Sequence, residues 1–168
     1  MHLKVDSQNL PWHGSFCVIP GSEKAELAKI LIVDDDSAVQ LTIRLLLERA
    51  GHSVVTASDG RNGLAQFESG DFDLLFLDIF MPGMDGFETM RQVHQRKPLT
   101  PIVVISGRPM PSDSGPDFLT MAMKLGAVSQ LQKPFKPAEL LGAVAGCLEA
   151  AKRLSASSRP ASGVASSP

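Results

Sequence analysis

Tyrosine is absent from the chain, and tryptophan occurs once among 168 residues. Only two cysteines are present, Cys17 and Cys147. Neither lies in a CxxC or Cys/His spacing, which excludes a disulfide framework and a zinc site and leaves both as structural thiols. No apolar stretch approaches the ~18 residues that span a bilayer, and the first thirty residues lack the apolar run of a secretory signal, so a cytoplasmic location with no membrane partner is expected. The formal net charge of −2 gives no electrostatic footprint for direct contact with nucleic acid or anionic lipid. What remains is 43% hydrophobic and 20% charged residues, the balance of a soluble globule with one core.

The ends differ from the middle. Residues 1–26 show no sustained period and are broken by Pro11, Gly14, Pro20 and Gly21; they read as a flexible extension. The last fourteen residues, SASSRPASGVASSP, hold six Ser, three Ala and two Pro, and a disordered tail is expected over 155–168. All periodic structure falls in the domain at 27–154. There KILIV (29–33), SVVTA (53–57), DLLFL (73–77), IVVIS (102–106) and residues 128–132 read as strands. Between and after them lie helical patterns over 37–50, 60–69, 86–96, 117–125 and 137–154. Val39, Leu41, Ile43, Leu46, Leu47 and Ala50 give the first helix its apolar stripe, and Leu140, Leu141, Val144 and Leu148 give the last one a core face. Asp85 followed by Glu88 has the spacing of a reciprocal cap, and Pro137 suits a first helical turn.

Five βα units with apolar strands specify an α/β fold: a parallel five-stranded sheet covered by helices on both faces, doubly wound and flavodoxin-like, with order 2-1-3-4-5. All strands then point one way, and the polar residues that follow them collect along one edge, where open α/β sheets bind ligands. The first strand is followed by Asp34, Asp35 and Asp36, the third by Asp78, the fourth ends in Ser106, and the fifth leads to Lys133 and Pro134. Carboxylates about 5 Å apart repel by roughly 3 kcal/mol per pair at an effective dielectric near 20, so this edge calls for a cation. Magnesium suits an all-oxygen site that shares a phosphate. A carboxylate there can attack phosphorus while a lysine and a hydroxyl meet the transferred oxygens. Asp36 reads as a helix cap, leaving Asp34 and Asp35 as the metal-binding pair.

ILIVDDDSAV (30–39), DLLFLDIFMPGMDGFE (73–88), PIVVISG (101–107) and LQKPF (131–135) resemble, in order, the signature segments of the receiver domain of bacterial response regulators. The resemblance implies that Asp78 is the phosphoacceptor, that Asp34, Asp35, Asp78 and the Phe80 carbonyl serve Mg2+, and that Ser106 and Lys133 contact the phosphoryl group. It also implies a cis Lys133–Pro134 peptide. A histidine kinase or histidine phosphotransfer protein is the implied donor, and a two-component or phosphorelay pathway the setting. Three features depart from the pattern. Gln130 stands where the family carries an aromatic switch residue, the loop 107–116 is long and contains three prolines, and Phe80 and Arg108 occupy the positions that tune hydrolysis. An apolar ring and a cation at those two positions imply a long-lived phosphoryl state. About fourteen residues follow the last helix, so a stand-alone regulator is expected, with output through a downstream protein or a homodimer. Two other readings stay open: a phosphorylation-independent adaptor on the same fold, which Gln130 favours, and a phosphatase resembling the haloacid dehalogenases through Asp34-x-Asp36.

Overall fold

Largely apolar runs bounded by carboxylates, glycines and serines form four of the strands, the more polar SQLQ segment forms the fifth, and the amphipathic segments between them form the helices. The computed structural model describes residues 27–83, 85–107 and 118–157. The elements follow as β1 (Lys29–Val33), α1 (Ser37–Arg49), β2 (Ser53–Ala57), α2 (Gly60–Ser69), β3 (Leu74–Asp78), α3 (Gly86–Arg96), β4 (Ile102–Ser106), α4 (Phe118–Lys124), β5 (Ser129–Gln132) and α5 (Pro137–Ser157). The strands make one all-parallel sheet of order β2-β1-β3-β4-β5. The expected fold and strand order are both present.

Side-chain alternation along the inner strands divides the core in two. Leu31, Val33, Leu75, Leu77, Ile102 and Val104 face α2 and α3, where they meet Leu64, Phe67, Met90 and Val93. Ile30, Ile32, Leu74, Phe76, Val103 and Ile105 face α1 and α5, packing on Ile43, Leu47, Leu140 and Val144. Three expected core positions lie outside these clusters, Leu41, Leu141 and the half-buried Ala50 at the end of α1. Leu41 is 55% exposed and Leu141 36% exposed, because the buried stripes run through Ile43 and Leu47 on α1 and through Leu140, Val144 and Cys147 on α5. Each of these leucines falls to one side of its stripe.

The helix ends are specified by sequence. Asp36 caps α1 by accepting the Ala38 and Val39 N–H groups, and Asp59 caps α2 through Asn62. Asp85 caps α3 by accepting the Glu88 N–H at 2.8 Å. The reciprocal half of that cap is not made: the Glu88 carboxylate is held by Arg91 and Gln92 instead. Gly51 and Gly126, with φ of 95° and 102°, close α1 and α4 in paired bonds, His52 N–H to Leu47 and Ala127 N–H to Ala122 being the outer ones. α5 runs to Ser157, three residues into the expected tail, since no breaker occurs before Pro160. The Lys133–Pro134 peptide is cis. The expected extension at 1–26, Cys17, and most of the loop 107–116, including Arg108, lie outside the described residues, as does the tail beyond Ser157.

Two predictions follow from buried titratable groups. Burial pushes the Cys147 thiol up to about 11, so a thiol reagent at neutral pH should leave the Cys147 peptide unlabelled until denaturant is added; mass mapping of labelled peptides checks this. His52 accepts the Ala28 N–H through Nδ1, and burial holds its pKa below the ordinary imidazole value. The unfolded chain therefore binds a proton more readily than the folded one. The His52 contribution is complete above about pH 6.5 and is lost as the pH falls through the lower folded value. Urea midpoints measured from pH 7.5 down to pH 5.5 should decline, and less steeply in His52→Asn.

Candidate functional site

At the carboxyl edge of the sheet, β1, β3 and the β5–α5 connection bring three carboxylates and one ammonium together. Asp34 follows β1 and is fully buried; Asp78 ends β3 and is 5% exposed. Lys133 Nζ lies 2.7 Å from Asp34 Oδ2 and 2.7 Å from Asp78 Oδ2. Asp78 Oδ1 accepts the Phe80 N–H at 2.9 Å, and Asp34 Oδ1 accepts the Asp36 N–H at 2.9 Å. Both carboxylates are thus oriented through one oxygen by backbone and through the other by the same lysine. Asp35 is exposed and makes no hydrogen bond among the described residues, yet a carboxylate oxygen of each of Asp34, Asp35 and Asp78 lies within 4.8 Å of the others.

The electrostatics follow from that geometry. Desolvation raises the pKa of Asp34 above the ordinary carboxylate value, and the Asp78 charge adds to it against the opposing pull of Lys133. For Lys133 burial acts to lower the pKa, but the facing carboxylates of Asp34 and Asp78 outweigh it and raise the value. The lysine is therefore a fixed cation. With all four groups ionised, three negative charges face one positive charge. Asp34 Oδ2 is buried and receives no directed hydrogen bond, its contact with Lys133 being an ion pair off the hydrogen-bond angle. An under-coordinated carboxylate oxygen beside two further carboxylates is a hard-oxygen donor set, and it fits Mg2+.

The remaining expected residues fall around this centre. Ser106 is buried at the end of β4, one residue beyond the Asp78–Ile105 register pair, so it sits on the neighbouring strand at the same edge. Its carbonyl accepts the Lys133 N–H at 2.8 Å, tying the start of the β5–α5 connection to β4. Phe80 is half-buried against the core on the α2–α3 side. Gln130 is exposed on β5, paired in register with Val104, and lines an open groove of about 750 Å³ with Ser106, Lys133, Glu139 and Gly142. Asp36 does not join the cluster, since its carboxylate serves the α1 cap. That removes the second carboxylate on which the phosphatase reading relied.

Response regulator receiver domains match residues 30–145 of this sequence. The chain belongs to the response regulator receiver family. The receiver domain is 36% identical over 112 residues to the alkaline phosphatase synthesis transcriptional regulatory protein PhoP of Bacillus subtilis, covering 67% of this chain and 45% of the relative. It is 32% identical over 127 residues to the transcriptional regulatory protein ResD of the same organism, covering 76% of this chain and 50% of ResD. The chain thus spans about half the length of the curated relatives it matches. Among solved structures, a CheY-like receiver domain from Methanospirillum hungatei superposes with a TM-score of 0.70 at 29% identity, covering 77% of this chain and 99% of that one. CheY4 of Vibrio cholerae does so at 0.66 and 33% identity, covering 73% and 100%. A receiver is a signalling module rather than a metabolic enzyme.

Two features of the site were missed in the sequence. One is the double engagement of Lys133, expected only as a phosphate partner. The other is the close approach at Gly86: an added Cβ would lie 2.6 Å from the Ile79 Cα and closer still to the Asp78 carbonyl oxygen. The signal was the glycine directly after the capping Asp85, where a helix packs end-on against a strand terminus.

Proposed function

We propose that this receiver accepts a phosphoryl group on Asp78 from a histidine kinase or histidine phosphotransfer protein, with Mg2+ held by Asp34, Asp35, Asp78 and the Phe80 carbonyl, in the cytoplasm. The observation that carries the proposal is the single ammonium of Lys133 lying 2.7 Å from both Asp34 and Asp78. In the transfer, a carboxylate oxygen of Asp78 forms the new bond to phosphorus. The bond from phosphorus to the donor imidazole nitrogen breaks, and that nitrogen keeps the electron pair. Bound Mg2+ supplies charge neutralisation for the carboxylates and the phosphoryl oxygens. Lys133 exchanges its contact with Asp78 Oδ2 for a transferred oxygen while keeping its pair with Asp34. The Ser106 hydroxyl hydrogen-bonds a second transferred oxygen. The Phe80 N–H holds Asp78 in one orientation throughout.

The phosphoryl group shifts the population of two conformations toward the one that contacts it better. Output passes through protein–protein contact with a downstream target or a second copy, on the face made by α4, β5 and α5, with Gln130 in place of an aromatic switch. Met121 on α4 and Val128 just before β5 are exposed apolar residues. No direct nucleic-acid contact by this domain is proposed. Phe80, with Arg108, slows hydrolysis of the acyl phosphate; a radiolabelled phosphoryl half-life of seconds would oppose this.

The test is incubation of the full chain with Mg2+ and a small-molecule phosphodonor, read by intact mass. One phosphoryl group should add to the wild type and none to Asp78→Asn. An unmodified wild type, with partner binding indifferent to Asp78→Asn, would instead establish the adaptor reading.

A further inference from the structure

Resting on the Mg2+ reading above, we propose that Gln40 is a positioning residue for the metal site, acting through the backbone turn that carries Asp34 and Asp35. Gln40 lies one turn into α1, half-buried. Its side-chain amide nitrogen donates to the Asp34 carbonyl and, at 3.0 Å, to the Ala57 carbonyl. Those two carbonyls are at the carboxyl ends of adjacent strands, β1 and β2. The Ala57 carbonyl also accepts the Asp34 N–H at 3.1 Å. One amide therefore bridges the two strand ends at the point where the chain leaves the sheet for the acidic turn.

The need for such a bridge comes from Asp35. Asp34 is fixed by Lys133 and by the Asp36 N–H, and Asp78 by Lys133 and the Phe80 N–H. Asp35 has no side-chain partner among the described residues and is exposed, yet its carboxylate stands within 4.8 Å of the other two. Nothing but the course of its own backbone places it there. The restraints on that backbone are the Asp34 N–H bond, the Asp36 N–H bond to the Asp34 carboxylate, the Asp36 cap with the Gln40 N–H bond to the Asp36 carbonyl, and the Gln40 side-chain bridge, and of these the bridge is the one that ties α1 to both strand ends. The Ala57 carbonyl keeps the Asp34 N–H without Gln40, so the side-chain amide serves less to satisfy that acceptor than to fix the distance between β1, β2 and α1.

Partners that orient metal ligands without touching the metal commonly change affinity by 10- to 100-fold. Gln40→Met keeps length and removes both donors. Gln40→Glu is isosteric, also removes both donors, and adds a negative charge that by attraction alone would tighten a dication. Mg2+ titrations by calorimetry on the full chain should give a Kd about tenfold weaker or more in both variants, with the glutamate failing to rescue. Urea midpoints without Mg2+ report the purely structural contribution. Lowered midpoints with an unchanged Kd would overturn the proposal, as would a tighter Kd in Gln40→Glu. If neither variant folds, the Gln40 side-chain amide resonances of the wild type decide: they should shift on Mg2+ addition with the same midpoint as the Asp35 amide, and resonances indifferent to Mg2+ overturn the proposal. Wild type that takes up no Mg2+ overturns the metal reading and this one together, whereas wild-type uptake with unaltered variants overturns Gln40 alone.

Discussion

Lys133→Met is expected to destabilise the metal-free protein by roughly 3–5 kcal/mol, and added Mg2+ should return most of that loss. Lys133 is the counter-ion of a fully buried Asp34 and a nearly buried Asp78, at 2.7 Å from each. Removing it leaves two carboxylates facing each other in a poorly solvated site, the costly half of a broken buried ion pair. Methionine preserves most of the aliphatic stem, so the loss reports charge rather than packing. Because the folded pKa of Lys133 is raised, its contribution is complete at neutral pH and disappears only as the pH climbs past the ordinary lysine range and through the raised value. Mg2+ occupying the same carboxylates replaces the missing charge. At a concentration 100 times its Kd it stabilises by about 2.7 kcal/mol, and its Kd should itself be lower in the variant, since no ammonium competes for Asp34 and Asp78. Urea unfolding of both proteins with and without Mg2+ measures this. A loss that Mg2+ leaves untouched would mean that lysine and metal do not share these oxygens.

Gly86→Val should damage stability and phosphoryl uptake together. The N-terminus of α3 rests against the end of β3, with the Gly86 N–H donating to the Ile79 carbonyl at 3.1 Å. Any Cβ at position 86 meets backbone, the Ile79 Cα at 2.6 Å and the Asp78 carbonyl oxygen, with no flexible side chain to yield. Either α3 lifts or the Asp78 backbone moves. The first costs about 1–3 kcal/mol of overpacking. The second displaces the reacting carboxylate, and a displacement near 1 Å costs on the order of 100-fold in rate. Gly142→Ala is the matched control: an added Cβ there meets nothing within 4 Å, and removing a glycine from a helix interior should stabilise by about 0.5–1 kcal/mol. Equal stabilities and equal uptake rates for wild type and Gly86→Val would contradict the close approach.

The fold was legible because four largely apolar runs and the more polar SQLQ segment, all of strand length, alternate with helical patterns, and a parallel sheet then follows from connection rules alone. The site was legible for a related reason. In such a sheet the residue after each strand lands on one edge, so Asp34, Asp78, Ser106 and Lys133 converge by topology before any side-chain geometry is known. Hidden features depended on three-dimensional distances that no spacing encodes. Leu41 and Leu141 have the right period but sit at the margins of their stripes, and a stripe's width is set by what packs on it. Glu88 has the capping spacing, yet Arg91 and Gln92 one turn on offer it stronger partners. Gln40 is an ordinary helical residue until Ala57 and Asp34 present their carbonyls to it. Lys133 reads as one interaction in sequence and makes two in space.

The initial rate of phosphoryl uptake from a small phosphodonor, followed against Mg2+ concentration in wild type and Asp35→Asn, tests most directly whether these strand ends form one site. The rate midpoint should coincide with the calorimetric Mg2+ Kd, and both should move to higher concentration together in Asp35→Asn. A rate indifferent to Mg2+, or one unmoved by losing the Asp35 charge, would contradict the account.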